Sequence, residues 1–290
     1  MERARPAIVL TLLLATWPSG GCGAPLSTAK AAPSNARREF SAEVRLHGEA
    51  LTLHLSSPAA PLQASAPLVL YASGDGGWFG TAVGMFRTIA GSGLPTVGFS
   101  TKGLMRIEHR WSRPLSVAHV AESYQQIIDA ARTALHLPPD APVVLTGWSR
   151  GASLGVLVAS SREADPRTVG LVAVGLVADE QLDIEGDSDD DAGGGATTAS
   201  AVNGVPRGHA IAMYPLFARM APRRSVVIQA SGDGYLSAAS ARELFGSDSE
   251  MRRLVAIDAR NHRFAGGESR FAAALVEAVD WVSASGAQKR

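Results

Sequence analysis

The chain has 290 residues, 46% hydrophobic and 19% charged, enough apolar material for one large core in a single soluble α/β-type unit. Basic and acidic residues balance at 27 each, so no basic excess marks a nucleic-acid partner. Cys22 is the sole cysteine, which excludes an intrachain disulfide and a cysteine metal site.

Arg3 and Arg5 precede the apolar run Ala7 to Ala15, and small residues then lead to Cys22. A basic start, a short apolar stretch and a small-residue region predict an export signal over residues 1–21, too short to span a bilayer. Cys22 after Ser19-Gly20-Gly21 resembles the lipobox of bacterial lipoproteins, which implies lipidation at Cys22 and a membrane-anchored, periplasmic protein. Cleavage at an ordinary signal-peptidase site is the alternative. Residues 22–39, rich in Ala, Pro and Ser, read as a flexible tether to a domain over 40–286.

Phe40 to Leu46 and Leu51 to Leu55 alternate around His47-Gly48-Glu49-Ala50, which predicts an antiparallel hairpin at a sheet edge. From residue 67 short apolar strands alternate with helices. Strands are expected at Pro67 to Ala72, Leu94 to Phe99, Pro142 to Thr146, Val169 to Val174, Ser225 to Gln229 and Arg253 to Ile257. Helices are expected at Phe79 to Ala90, through Val117, Val120, Tyr124, Ile127, Ile128, Ala131 and Leu135 at helical spacing, and from Ser269 to Val282. This order predicts an α/β-hydrolase fold, a mostly parallel sheet covered on both faces plus the N-terminal hairpin. Residues 183–205, with six acidic side chains from Asp183 to Asp191 and then Gly, Thr and Ser, read as a mobile acidic insertion near the position of a cap. A solvated loop without function is the plainer reading. The spacing lacks the glycine and glutamate of an EF-hand loop.

Gly147-Trp148-Ser149-Arg150-Gly151 fits the G-x-S-x-G pattern. Its weight comes from context, a strand before it and the small residues Gly151, Ala152, Ser153 and Gly155 opening a helix after it. A serine needs a base to take its proton. In this fold the partners follow in the order serine, acid, histidine. His262 lies beyond the last predicted strand in a loop with Asn261 and Gly266. His209 also follows Ser149 but has no strand before it, and the other five histidines precede Ser149. Asp233 follows the strand before that one, in Ile228-Gln229-Ala230-Ser231-Gly232-Asp233-Gly234, with Asp248 and Asp258 as competitors. The catalytic set expected is therefore Ser149, Asp233 and His262. Ser73-Gly74-Asp75-Gly76 repeats the Ser231–Gly234 tetrapeptide after an earlier strand. Its backbone N–H groups at Gly74 and Asp75, with that of Arg150, are the oxyanion-hole candidates. Asp75, Trp78, Trp148 and Arg150 are the substrate-binding candidates. No metal and no organic cofactor is implied.

The segment Leu70 to Trp78 with its Ser-Gly-Asp-Gly-Gly-Trp core resembles the VirJ/AcvB bacterial virulence proteins. Arg110-Trp111-Ser112, the Gly147–Gly151 elbow and Asn261-His262-Arg263-Phe264 resemble that family too, over roughly residues 66–283. The chain departs in Arg150, where the family usually shows Phe, and in its acidic insertion. The resemblance implies an exported α/β-hydrolase, and for AcvB-like members hydrolysis of aminoacylated phosphatidylglycerol at a membrane surface; with Ser149, Asp233 and His262 the expected activity is that of an exported serine esterase. In that setting Asp75 would pair with the ammonium group, whereas Arg150 would favour an anionic one. An acyltransferase using the same residues, or a non-catalytic envelope binding protein that retains the fold, are the alternatives.

Overall fold

Strands whose successive side chains are all apolar must be covered on both faces, and the computed structural model, which describes residues 37–59, 66–112, 115–181 and 210–284, shows how this is done. The predicted signal, Cys22, most of the tether and the acidic insertion at 183–205 lie outside the described residues. The hairpin comprises β1 (Arg37–Leu46) and β2 (Glu49–Pro58), paired antiparallel from Leu46–Glu49 to Arg37–Pro58. The turn is only His47-Gly48, both with positive φ, the geometry that matches the strand twist in a two-residue hairpin. β1 therefore begins three residues inside the expected tether. Arg37 and Arg38 are exposed there, yet backbone pairing to β2 needs no apolar side chain, and Arg37 also meets Glu39 at 2.9 Å.

The parallel body follows as β3 (Leu68–Ala72), α1 (Thr81–Ala90), β4 (Thr96–Phe99), α2 (Thr101–Trp111), α3 (Val117–Leu135), β5 (Val143–Trp148), α4 (Arg150–Ser160) and β6 (Thr168–Val174). A small antiparallel pair, β7 (Asp179–Gln181) and β8 (Ala210–Ala212), and a 3-10 helix over Tyr214–Met220 come next. The chain then returns through β9 (Arg224–Ala230), α5 (Ala238–Phe245), β10 (Arg252–Ile257) and α6 (Glu268–Ser283). The large sheet has the order β1-β2-β4-β3-β5-β6-β9-β10, with β3 to β6, β9 and β10 parallel and the hairpin antiparallel at one edge.

Two elements, α2 and α5, are not among the helices expected from the sequence, although each buries one face, Leu104, Met105 and Ile107 in α2 and Ala238, Ala241 and Phe245 in α5. Each starts on a serine cap, Ser100 Oγ accepting from the Gly103 N–H and Ser237 Oγ from the Ser240 N–H.

Alternation along the strands splits the core in two. Leu68, Leu70, Val143, Leu145, Leu171 and Val227 face α2 to α5, and Val69, Tyr71, Val144, Val172, Val226 and Ile228 face α1 and α6. Chain direction across the sheet reverses between β3 and β5, because β4 lies to one side of β3 and β5 to the other. Open α/β sheets bind ligands beyond the carboxyl ends at such a point. The loops after β3 and β5 meet there.

Candidate active site

The strand-to-helix turn at Ser149 is built by close backbone approach. A Cβ on Gly147 would lie 2.2 Å from the Gly151 carbonyl oxygen, and one on Gly151 would lie 2.3 Å from the carbonyl oxygens of Ala72 and Ser73. Only glycine fits at either position. Ser149 itself has φ 56° and ψ −124°, a conformation L-residues avoid, held by its N–H donating to the Val174 carbonyl at 2.8 Å. Arg150 is the first residue of α4, so its N–H has no acceptor within the helix and stands beside Ser149. The β3 loop closes over this turn: a Cβ on Gly74 would sit 3.6 Å from Ser149 Cβ and 3.1 Å from the Trp148 ring.

Asp233 and His262 are brought together from loops 29 residues apart. His262 Nδ1 and Asp233 Oδ2 are 2.7 Å apart, with the Asp233 side chain fully buried and that of His262 13% exposed. The same Oδ2 accepts from Gln229 Nε2 at 3.0 Å, and Oδ1 accepts from the Tyr235 N–H at 2.9 Å. Three donors thus converge on one buried carboxylate. The histidine loop is shaped by Asn261, whose Oδ1 accepts from the N–H groups of Arg263 and Ala265, and by Phe264, fully buried and stacked on Phe271. Trp148 stacks on the imidazole at 5.6 Å and donates from Nε1 to the His262 carbonyl. Gly175, with φ 59°, lies under the ring, since a Cβ there would come within 2.7 Å of it. Val174, the preceding residue, is the one that holds the Ser149 N–H. The imidazole is therefore flanked by Trp148 and Gly175, both adjoining Ser149 or its backbone partner. His262 Nε2 is buried and, among the described residues, has no hydrogen-bond partner.

The profile of the family described as "Bacterial virulence protein (VirJ)" matches residues 67–216, more than half of the chain. The chain belongs to the VirJ family. The matched span holds Ser149 and the Ser73–Trp78 loop and ends before Asp233 and His262. No curated protein matches the sequence. Among solved structures, the esterase domain of a Rhodothermus marinus protein aligns at TM-score 0.54 and 18% identity, over 86% of this chain and 99% of that one. Est1E from Butyrivibrio proteoclasticus aligns at 0.55 and 13%, over 84% and 99%. An alpha-beta serine hydrolase homologue from Coxiella burnetii aligns at 0.54 and 13%, over 83% and 96%. At these identities the likeness shows a shared α/β-hydrolase fold.

The remaining expected residues of this VirJ-family chain fall in different places. Asp75 is exposed on the β3 loop. Trp148 supports the histidine, as described. Trp78 turns into the α1 side of the sheet, stacked on His54 at 4.1 Å and packed edge-on to Tyr71 and Phe86. Its ring occupies the space above Gly98, where a Cβ would lie 2.2 Å from it. These contacts give Trp78 a packing role that fixes the loop. Arg150 points to β7, where its Nε donates to Glu180 Oε1 at 3.2 Å. Gln229, Gly175 and Glu180 were not singled out by sequence reasoning. A polar residue ending the apolar run Val226-Val227-Ile228 was the available signal for Gln229; nothing local marked Glu180.

Burial under Trp78 pushes the His54 imidazole down from 6.5 to about 4. The unfolded chain therefore takes up this proton first as pH falls, so stability is lost between about pH 6.5 and pH 4. With screening at this half-buried position the loss is about 1–2 kcal/mol. Urea midpoints at pH 7 and pH 4.5 should separate more in the wild type than in His54→Phe; an equal separation would contradict the assignment.

Among the described residues no group of three or more His, Cys, Asp or Glu side chains is arranged to hold a metal ion. Among them, no helix is long and apolar enough to cross a membrane.

Proposed function

We propose that the chain is an exported serine esterase that acts on carboxylic esters of the cell envelope, with aminoacylated phosphatidylglycerol as the substrate class. One observation carries this reading. An imidazole held at 2.7 Å by an aspartate with a buried side chain packs on Trp148 and Gly175, the neighbours of the strained Ser149 turn and of its backbone partner Val174, at the sheet's switch point.

In this reading Ser149 Oγ attacks the ester carbonyl carbon while His262 Nε2 takes the hydroxyl proton. Asp233 keeps the other imidazole proton on Nδ1 and stabilises the imidazolium. The N–H groups of Arg150 and of Gly74 or Asp75 receive the developing oxyanion. Collapse expels the alcohol with the proton from Nε2, and water then cleaves the acyl-enzyme by the same steps. The exposed carboxylate of Asp75 on the β3 loop suits an ammonium group on the acyl portion. Lipidation at Cys22 would hold the enzyme at the membrane surface.

The test is fluorophosphonate labelling of the purified mature protein beside Ser149→Ala. Labelling of the wild type is expected and should vanish in the variant, together with a loss of at least about 10⁴-fold in kcat on a chromogenic ester. A folded wild type that neither labels nor hydrolyses esters would favour a non-catalytic binding protein and sink this reading.

A further inference from the structure

Arg150 follows Ser149 directly, and a cation there would attract an anionic substrate if its charge were available. Its Nε donates to Glu180 Oε1 at 3.2 Å, while Glu180 Oε2 accepts from Ser153 Oγ at 2.8 Å. One carboxylate therefore spans the first turn of α4, an oxygen on its first residue and an oxygen on its fourth. The pair is part of the fold's framework. Glu180 is 6% exposed and Ser153 is fully buried, whereas the Arg150 side chain is 38% exposed. Glu180 sits at the centre of β7, paired across to Ile211 of β8, so the strand and not a long mobile side chain sets its position. A carboxylate at a helix N-terminus is favoured by the aligned N–H groups. Burying it without a counter-charge is costly, and Arg150 is the cation that the structure provides.

We infer that Glu180 is a specificity-determining residue that acts through Arg150. It offsets the charge of the guanidinium and turns it toward β7, so that the Arg150 side chain does not draw an anionic substrate group beside Ser149. The enzyme then takes esters whose acyl portion is neutral or cationic and gains nothing from a carboxylate or phosphate at that position. This inference rests on the serine-esterase reading and corrects what Arg150 suggests by its residue type alone.

The test compares two 4-nitrophenyl esters of similar length, the neutral valerate and the anionic hemiglutarate, on the full mature chain. The quantity read is the ratio of kcat/KM for the anionic ester to that for the neutral one. Glu180→Gln keeps an oxygen to accept from Ser153 and removes the charge. It should raise the ratio about fivefold, through KM of the anionic ester, and the gain should shrink with added salt. Arg150→Gln/Glu180→Gln removes the pair without leaving a charge, and should return the ratio to within about twofold of wild type.

An unchanged ratio in folded Glu180→Gln would overturn the inference. So would a fall well below wild type in the double variant, which would mean that Arg150 already binds anions. If Glu180→Gln does not fold, the double variant alone decides. Wild type without Ser149-dependent turnover of either ester would overturn the esterase reading and the inference with it. Turnover with an unmoved ratio overturns the inference alone.

Discussion

Asp233→Asn should lower kcat for ester hydrolysis about 10⁴-fold while leaving the protein folded. The reason lies in the three donors that meet the carboxylate. The Tyr235 N–H belongs to the backbone and cannot turn, so it keeps the amide oxygen of an asparagine at the Oδ1 position. The amide nitrogen then faces His262 Nδ1 at the place where Oδ2 now stands 2.7 Å away, and Gln229, whose Nε2 donates to that oxygen, must turn its side chain aside. Two N–H groups cannot face each other, so the imidazole must present Nδ1 as an acceptor and carry its proton on Nε2. That nitrogen is the one required to take the Ser149 proton. The loss should fall on kcat with little change in KM, because no substrate contact is removed. Steady-state kinetics with circular dichroism checks this, and a loss smaller than about tenfold would mean that Asp233 does not orient the base.

Gly151→Ala should destabilise the fold by about 3 kcal/mol or more, lowering Tm by roughly 6–12 °C. The added Cβ would meet the carbonyl oxygens of Ala72 and Ser73 at 2.3 Å, and both belong to backbone that a rotamer change cannot relieve. Relief requires α4 to move away from the end of β3, which also opens the space between Ser149 and the Gly74 loop. Gly155→Ala in the same helix is the control. There the nearest atom is Leu171 Cδ1 at 3.1 Å, the tip of a flexible side chain, and the cost should stay below about 1.5 kcal/mol. Thermal unfolding of the two variants should therefore differ clearly; equal melting points would show that the β3–α4 contact is looser than its geometry implies.

Much of the scaffold was legible from residue pattern because its strands are apolar on both faces and its helices on one. β3, β5, β6, β9 and β10 lie within a residue or two of the runs that mark them, and α3 matches its spacing at Val117 and Leu135. The hairpin, too, follows from alternation, although its turn is tighter than expected, since His47 adopts a positive φ and lets Glu49 and Ala50 join the ladder. α2 and α5 escaped because each is short and its narrow apolar face, Leu104, Met105 and Ile107 in one and Ala241 and Phe245 in the other, is interrupted by charged residues.

The site divides along a similar line. Sequence by itself determined the elbow, because Gly147 and Gly151 are required by backbone geometry that no other residue tolerates, and it ordered Ser149, Asp233 and His262 along the chain. Chain order separated the two Ser-Gly-Asp-Gly tetrapeptides, but it could not show how differently their aspartates are buried. Asp75 is exposed on one loop and Asp233 is 5% exposed in the other, held by Gln229, Tyr235 and His262. Nor could it reveal that Trp78 packs on His54 or that Glu180, thirty residues away, offsets the charge of Arg150. A residue's type and spacing fix what it is able to do. Its burial and its partners, which arise only when distant segments meet, decide whether a charge is available to a substrate or already satisfied within the fold.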